Sequence, residues 1–238
     1  LTHPSSAVSD ILLADMDGDS DVDVVVASTY VLVYPNNGNG TFADITPTAG
    51  IGGGARAHTS CSMGDVNGDG KLDLAVANYT DSTVGVSLGN GLGGFGPATT
   101  SPVGGQGYTL ALADFSGDGK LDAVVSVAAQ NSVYLLQGNG LGGFGGAIPY
   151  PCGMDPLGLI VTDMTGDGDL DVVVANRAAN MVSVLRGDGA GGLGAGEPFM
   201  VGMTPFSVEA ADFNEDGVPD LVTANNGDST VSVLLSRP

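Results

Sequence analysis

The 238-residue chain is strongly acidic, with 27 Asp and Glu against 6 Lys and Arg and a formal net charge of −21. So few cations cannot neutralise the phosphates of a nucleic acid, and the negative charge opposes docking on an anionic membrane. A hydrophobic fraction of 42% excludes a disordered chain, and no apolar run reaches the roughly 18–20 residues of a membrane span. We expect one globular domain over residues 1–238, with no nucleic-acid partner and no membrane insertion.

A nine-residue acidic pattern recurs five times along the chain. The spacings between the first residues of successive copies are 50, 49, 49 and 49. We number the repeats as units 1 to 5, and their acidic loops span residues 15–23, 65–73, 114–122, 163–171 and 212–220. Repeats of about 40–50 residues are typical of propeller blades, which contain four strands each.

Each unit shows four predicted strands in the same order. The first precedes the acidic loop and the second, rich in β-branched residues, follows it. The third strand alternates apolar and polar residues with a period of two. A weaker fourth strand is predicted to begin near Phe42, Phe95, Phe144 or Leu193. No segment shows helical periodicity, so we expect an all-β propeller of four-stranded antiparallel blades.

The two ends of the chain predict ring closure. The last unit lacks the Gly-rich turn and the fourth strand, and residues 1–4 align with the end of that missing strand. An N-terminal strand that completes the last blade would close a five-bladed ring and remove two open sheet edges. The alternative is that these units are part of a longer array.

The acidic loops have the donor pattern of calcium sites. They contain 19 of the 27 acidic residues, and such crowding of carboxylates is unfavourable without a compensating cation. Oxygen-bearing side chains occupy loop positions 1, 3, 5 and 9, and a backbone carbonyl is expected at position 7. This hard-oxygen set suits calcium better than magnesium. By unit, the predicted ligands are Asp15, Asp17, Asp19, Asp21 and Asp23; Asp65, Asn67, Asp69, Lys71 and Asp73; Asp114, Ser116, Asp118, Lys120 and Asp122; Asp163, Thr165, Asp167, Asp169 and Asp171; and Asp212, Asn214, Asp216, Val218 and Asp220.

An EF-hand would show a similar loop, but it needs an acid near position 12 and a helix after the loop. Here each loop continues into a predicted strand. We therefore expect about five Ca²⁺ ions, one per unit. Their charge would bring the formal net charge from −21 to about −11 and should stabilise the fold.

These motifs resemble a known family. Four features carry the likeness: the loop Asp-x-Asn-Gly-Asp-Gly-x-x-Asp, the Leu/Val-rich strand after it, the Phe95-Gly96 and Phe144-Gly145 pairs, and the Gly-x-x-Pro stretch before the first strand. Together they are similar to the FG-GAP (VCBS-type) repeats of integrin α-subunits and bacterial secreted proteins. The resemblance implies a calcium-binding β-propeller that is secreted or at the cell surface. It also implies adhesion or ligand binding, or an accessory role beside a secreted enzyme. Many related rings have seven blades, whereas this chain has five repeats.

The resemblance also places ligands on the face opposite the calcium loops. There, the connection within residues 46–59 is four residues longer than in the other units, and the loop near Tyr30 is three residues shorter. The candidate ligand contacts are Tyr30, Arg56, His58, Tyr79, Tyr108 and Arg177. The alternatives are that Arg56 pairs with a surface acid, that His58 bonds a carbonyl and that the tyrosines cap blade edges.

These features favour a binding module over an enzyme. Only two histidines are present, and the acids are committed to metal. We expect a lectin-like or adhesive module whose partner is a glycan or an extracellular protein, although the absence of Trp removes the best sugar-stacking side chain. The alternative is a self-associating protein of a surface layer or filament. Cys61 and Cys152 occupy apolar positions in different units, so we expect buried free thiols.

Overall fold

The computed structural model describes residues 8–28, 31–43, 46–47 and 58–236. In this part of the chain the backbone forms five antiparallel sheets, one per unit, which confirms the all-β prediction. The described residues contain a single short 3-10 turn, Ala128–Gln130. No helix among them is long and apolar enough to cross a membrane.

Each sheet is a simple meander in which every strand pairs with the next one along the chain. Unit 1 contains β1 (Asp10–Ala14), β2 (Asp23–Ala27), β3 (Val31–Tyr34) and β4 (Thr46–Pro47). Unit 2 contains β5 (His58–Gly64), β6 (Asp73–Asn78), β7 (Thr83–Ser87) and β8 (Thr99–Pro102). Unit 3 contains β9 (Gly107–Ala113), β10 (Asp122–Val127), β11 (Ser132–Leu136) and β12 (Ile148–Pro151). Unit 4 contains β13 (Pro156–Thr162), β14 (Asp171–Asn176), β15 (Met181–Leu185) and β16 (Glu197–Met200). Unit 5 contains β17 (Pro205–Ala211), β18 (Asp220–Asn225) and β19 (Thr230–Leu234).

The fourth strand begins four residues later than the sequence predicts, as unit 2 illustrates. Phe95 forms only an isolated bridge with Gly89, and β8 starts at Thr99. The Gly96 N–H donates to the Leu88 carbonyl at 2.8 Å, so the chain turns back on the end of the third strand before it extends. The aromatic residue therefore closes a tight turn, and the pairing of the edge strand follows it.

Apolar clusters join consecutive units. Side chains alternate along a strand, so a second strand presents apolar residues to the units on both sides of it. In β14, Val172 and Val174 pack with unit 3, whereas Val173 and Ala175 pack with unit 5. Equivalent clusters join units 1 and 2 and units 2 and 3. The same interface is thus used four times.

The first strands β1, β5, β9, β13 and β17 contact one another in chain order. Within the described residues, the sheet of unit 5 has three strands, as the sequence predicts. The segment predicted to complete it, residues 1–4, lies outside the described residues. Closure of a ring at five blades therefore stays a prediction.

Both cysteines are free thiols, as expected, but Cys61 is buried whereas Cys152 is only half-buried. Cys61 is buried in the cluster between units 1 and 2, and Cys152 packs against the cluster between units 3 and 4. Burial raises the pKa of both thiols, that of Cys152 to about 11. Neither thiol is therefore an activated nucleophile at neutral pH.

Candidate metal loops and ligand cavity

The aspartate at loop position 1 organises the backbone of each acidic loop. In unit 2, Asp65 Oδ1 accepts hydrogen bonds from the Gly68 and Asp69 N–H groups at 2.7 and 3.0 Å, and Oδ2 accepts one from Gly70 at 2.8 Å. Gly68 and Gly70 have φ values of 76° and 81°, which a side chain would disfavour. This winding turns the side chains at alternate positions toward one another.

The aspartate at position 9 has a different environment, because it is buried at the base of the loop. Asp73 Oδ2 accepts the Val66 N–H at 2.9 Å, and Oδ1 accepts the Gly89 N–H from the turn after the third strand at 2.8 Å. All five units repeat this clamp with Asp23, Asp73, Asp122, Asp171 and Asp220. Burial raises the pKa of Asp73, although the two N–H groups oppose that shift. Position 9 therefore joins the loop to the turn, whether or not it also binds metal.

The donor geometry of unit 1 fits a calcium ion. Ligand oxygens of Asp15, Asp17 and Asp19 lie within 4.8 Å of one another. Calcium binds oxygen at 2.3–2.6 Å, so opposite ligands of one ion are separated by at most roughly 5 Å. Desolvation, followed by the like charges of the neighbouring aspartates, raises the pKa of Asp17. Three converging carboxylates are the hard donor set that calcium prefers.

Units 2 and 3 differ because a lysine at position 7 pairs with the aspartate at position 5. Lys71 Nζ lies 3.6 Å from Asp69 Oδ2, and Lys120 Nζ lies 2.7 Å from Asp118 Oδ2. Both pairs are exposed, and such pairs are weak in water. They nevertheless place a competing cation beside a predicted metal ligand, so the five loops are not equivalent.

The structure describes only part of the predicted ligand surface. Tyr30 and Arg56 lie outside the described residues, as does the side chain of His58. Tyr79, Tyr108 and Arg177 lie at the end of the sheets opposite the acidic loops, where the second strands end and the first strands begin.

Tyr79 and Tyr108 form a contact between units 2 and 3. Their rings meet edge to face, with centroids 5.2 Å apart, and their hydroxyl oxygens are 3.3 Å apart. This hydrogen bond, followed by burial, raises the pKa of Tyr108. Nearby, Arg177 Nε donates to Asp155 Oδ2 at 2.6 Å. The arginine is thus held by a surface acid while it remains partly exposed.

A cavity of about 520 Å³ opens where the first strands meet. Residues from all five units line it, so it exists only because the units are arranged around a common centre. Its polar lining consists of Ser9, Asp10, Ser60, Tyr108, Thr109, Arg177, Ser207 and Glu209, and its apolar lining of Leu157, Gly158, Leu159, Phe206 and Val208. The cavity therefore combines hydroxyl, carboxylate and guanidinium groups with an apolar wall.

Sequence reasoning missed Asp10 and Glu209 in this lining. Asp10 is partly committed, because its Oδ2 accepts the Cys61 N–H at 2.9 Å. Glu209 is exposed in the middle of β17. Glu209 lies three positions before its acidic loop, where units 1 and 4 have Leu12 and Ile160. A charged residue at this position was the signal that the sequence offered.

A family model described as FG-GAP-like repeat matches residues 15–76, 65–125, 123–174 and 163–223. The chain belongs to the FG-GAP-like repeat family. These matches span all five acidic loops and confirm the resemblance inferred from the motifs. A search of curated protein sequences finds no match.

Solved structures similar to this FG-GAP-like chain are propeller-like. A lectin of Agrocybe aegerita, described by its specific recognition of non-reducing terminal N-acetylglucosamine, aligns with a TM-score of 0.59 and 26% identity over 95% of this chain and 65% of its own. An auxiliary nutrient binding protein of Bacteroides ovatus aligns with a TM-score of 0.64 and 13% identity over 100% and 61%. A streptogramin B lyase aligns with a TM-score of 0.60 and 12% identity over 99% and 71%. The chain thus spans less than two thirds of the lectin, and the last two likenesses establish the fold alone.

Proposed function

We propose that this FG-GAP-like chain is a non-catalytic, extracellular module that is stabilised by calcium and binds a glycan in the cavity at the meeting point of its first strands. The observation that carries the proposal is the composition of that cavity. Sugars present several hydroxyls on an apolar ring, and the cavity offers carboxylate and guanidinium partners beside an apolar wall. The lectin of Agrocybe aegerita, 26% identical, supports the same class of ligand.

Three features of the cavity suit recognition of a small polyhydroxylated ligand. Arg177 is held in one orientation by Asp155, so it would lose little conformational freedom on binding. Glu209 presents an exposed carboxylate from β17 of unit 5. Tyr108 provides the aromatic surface in the absence of Trp, and its contact with Tyr79 restricts the ring.

In this proposal the acidic loops hold calcium. Positions 1, 3 and 5 supply side-chain oxygens, as the cluster of Asp15, Asp17 and Asp19 supports. The ion would supply positive charge that relieves repulsion among these carboxylates. Sites of extracellular modules bind calcium at about 10⁻⁴–10⁻³ M, which suits a compartment with millimolar calcium.

The first test is titration of the calcium-loaded protein with glycans that end in N-acetylglucosamine, by isothermal calorimetry. We expect Glu209→Gln and Arg177→Ala each to weaken binding about tenfold or more, because each removes a charged partner of the ligand. The matched controls are Glu197→Gln and Arg186→Ala. These residues form an exposed ion pair at 3.3 Å near the acidic loops, away from the cavity.

Equal affinities for the parent chain, the cavity variants and the control variants would exclude the cavity as the binding site. Absence of binding across a broad glycan panel would exclude a glycan as the ligand. A protein partner at the same face would then be the next candidate, tested with the same four variants.

A further inference from the structure

The turn after the third strand has the same backbone in units 1 to 4, but its sequence differs in unit 1. In each of these units the first residue of the turn donates its N–H to the carbonyl four positions later, and in unit 1 this bond joins Asn37 to Thr41 at 2.9 Å. Position 3 of the turn is Asn39 in unit 1 and Leu or Ala in units 2 to 4. Position 5 is Thr41 in unit 1 and Gly in the others. These two replacements create the motif Asn39-Gly40-Thr41.

This motif is one of two Asn-x-Ser/Thr sequences in the chain, and such a sequence is the acceptor of N-linked glycosylation. The other is Asn78-Tyr79-Thr80. Asn78 is fully buried and its Nδ2 donates to Thr83 Oγ1 at 3.1 Å, so the folded protein has no space for a saccharide on that nitrogen. Asn39 and Thr41 are both exposed. Only the motif in unit 1 therefore suits the folded protein.

The exposure of Asn39 follows from its place at the tip of the turn and does not depend on a neighbouring unit. In unit 2 the same turn packs against unit 1, where the Gly93 N–H donates to the Met16 carbonyl at 3.0 Å. The tip residue of that turn, Leu92, is nevertheless 78% exposed, and its counterpart Leu141 in unit 3 is 81% exposed. A side chain at this position is thus exposed even where another unit packs against the turn.

The hydroxyl and N–H groups of Thr41 both donate to the side-chain carbonyl of Asn39. The distances to Asn39 Oδ1 are 2.6 Å from Thr41 Oγ1 and 3.0 Å from the Thr41 nitrogen. Asn37 Nδ2 donates to Thr41 Oγ1 at 3.0 Å, so this hydroxyl accepts one hydrogen bond while it donates the other. Donors at Oδ1 stabilise the charge that develops there when Asn39 Nδ2 loses a proton, which makes Nδ2 a better nucleophile. The arrangement needs only residues 37–41, so it can form before the units assemble.

We propose that Asn39 is an acceptor of N-linked glycosylation when the chain passes through a secretory route that supplies a lipid-linked saccharide. Asn39 Nδ2 attacks the anomeric carbon of a saccharide carried on a lipid diphosphate. The C–N bond forms as the anomeric C–O bond breaks, the lipid diphosphate leaves with the electron pair, and the Nδ2 proton passes to a base of the transferase. The proposal rests on the extracellular location proposed above, but it does not depend on a ligand in the cavity.

A saccharide on Asn39 leaves the cavity open. The turn lies at the acidic-loop end of unit 1, where a Cβ on Gly38 would meet the carboxylate of Asp21. Tyr108 and Arg177 line the cavity at the opposite end of the sheets. Failure of ligand binding in calorimetry would therefore leave this acceptor site untouched, and an unmodified Asn39 would leave the cavity untouched.

The test expresses the full chain behind a cleavable secretion signal in cultured eukaryotic cells and maps the glycan on the secreted protein. Because the signal delivers the chain to the transferase, a failure would concern this site and not the natural location of the chain. An amidase that releases N-linked glycans converts the attachment asparagine to aspartate, and mass spectrometry of the peptides then identifies the position. We expect this conversion at Asn39 and none at Asn78.

Four variants separate the acceptor motif from its surroundings. Asn39→Gln and Thr41→Ala should each abolish the glycan, whereas Thr41→Ser keeps the hydroxyl and should keep the glycan. Thr80→Ala is the matched control, because it removes the second motif and should leave the glycan in place, and circular dichroism checks that all four variants fold. A parent chain secreted without a glycan on Asn39 would overturn the proposal. So would a glycan that survives Thr41→Ala, or folded, secreted chains modified at Asn78.

Discussion

Replacing Asp73 with Asn separates the structural role of loop position 9 from its predicted role as a calcium ligand. The buried carboxylate accepts one N–H from Val66 within the loop and one from Gly89 in the neighbouring turn. Asparagine has the same shape, but its amide nitrogen would face one of these two donors. One charge-assisted hydrogen bond is lost, and one buried N–H is left without an acceptor.

The magnitude follows from these two bonds. A hydrogen bond to a charged group contributes about 1.5–3 kcal/mol, and an unpaired buried donor costs about 1–3 kcal/mol. Burial raises the pKa of Asp73, so removing the charge recovers part of its desolvation cost. We expect a net loss of about 2 kcal/mol. For a chain of this size that corresponds to a Tm lower by roughly 4–8 °C.

The assay is thermal unfolding followed by circular dichroism, in EDTA and in calcium. The matched control is Asp69→Asn, which changes an exposed carboxylate at position 5 of the same loop. In EDTA, Asp73→Asn should melt well below the parent chain, whereas Asp69→Asn should change the stability by no more than about 0.5 kcal/mol. In calcium, both variants should show a smaller gain than the parent. If Asp73→Asn melts within 1 °C of the parent in EDTA, the clamp does not stabilise the fold and the reasoning fails.

Three further predictions follow from the same structure. Gly138→Ala should destabilise the fold by roughly 1–3 kcal/mol in urea unfolding, because a Cβ there would collide with the backbone carbonyl of Leu121. The control Gly146→Ala places its Cβ in open space and should leave the stability unchanged. Native Cys152, with a pKa of about 11, should be alkylated slowly at pH 8, and the rate should rise about tenfold for each pH unit above 8. Two thiols should titrate after unfolding, and a count of zero would indicate a disulfide. Calcium at about 100 times its Kd should stabilise the fold by about 2.7 kcal/mol per site relative to EDTA, and an equal effect of magnesium would contradict the assigned donor set.

Much of the local structure was predictable because it depends on residues close together in the chain. The spacing of the acidic loops identified the five units, and the β-branched runs after them identified the second strands. The donor spacing also predicted that Asp15, Asp17 and Asp19 converge, because alternate residues of a tightly wound glycine loop turn inward. The sequence also showed that residues 205–236 supply three strands to unit 5.

Other features could not be predicted because they join residues from different parts of the chain. Phe95 looked like the start of a strand, but the preceding turn folds it back onto Gly89. Asp73 looked like one more metal ligand, but the Gly89 N–H that its carboxylate accepts comes from sixteen residues further on. Gly89 reaches Asp73 through the hairpin formed by the second and third strands, whereas Phe95 returns to Gly89 through the turn that follows the third strand.

The repeated sequence by itself thus determined the all-β fold, the unit boundaries and the oxygen-rich loops, because strand periodicity and loop winding are local properties. Only the tertiary structure decided what the units build together. The cavity needs first strands from all five units, and the contact between Tyr79 and Tyr108 needs two neighbouring units. Burial is likewise a property of neighbours in space, since Val172 and Val173 are adjacent in the sequence but pack against different units.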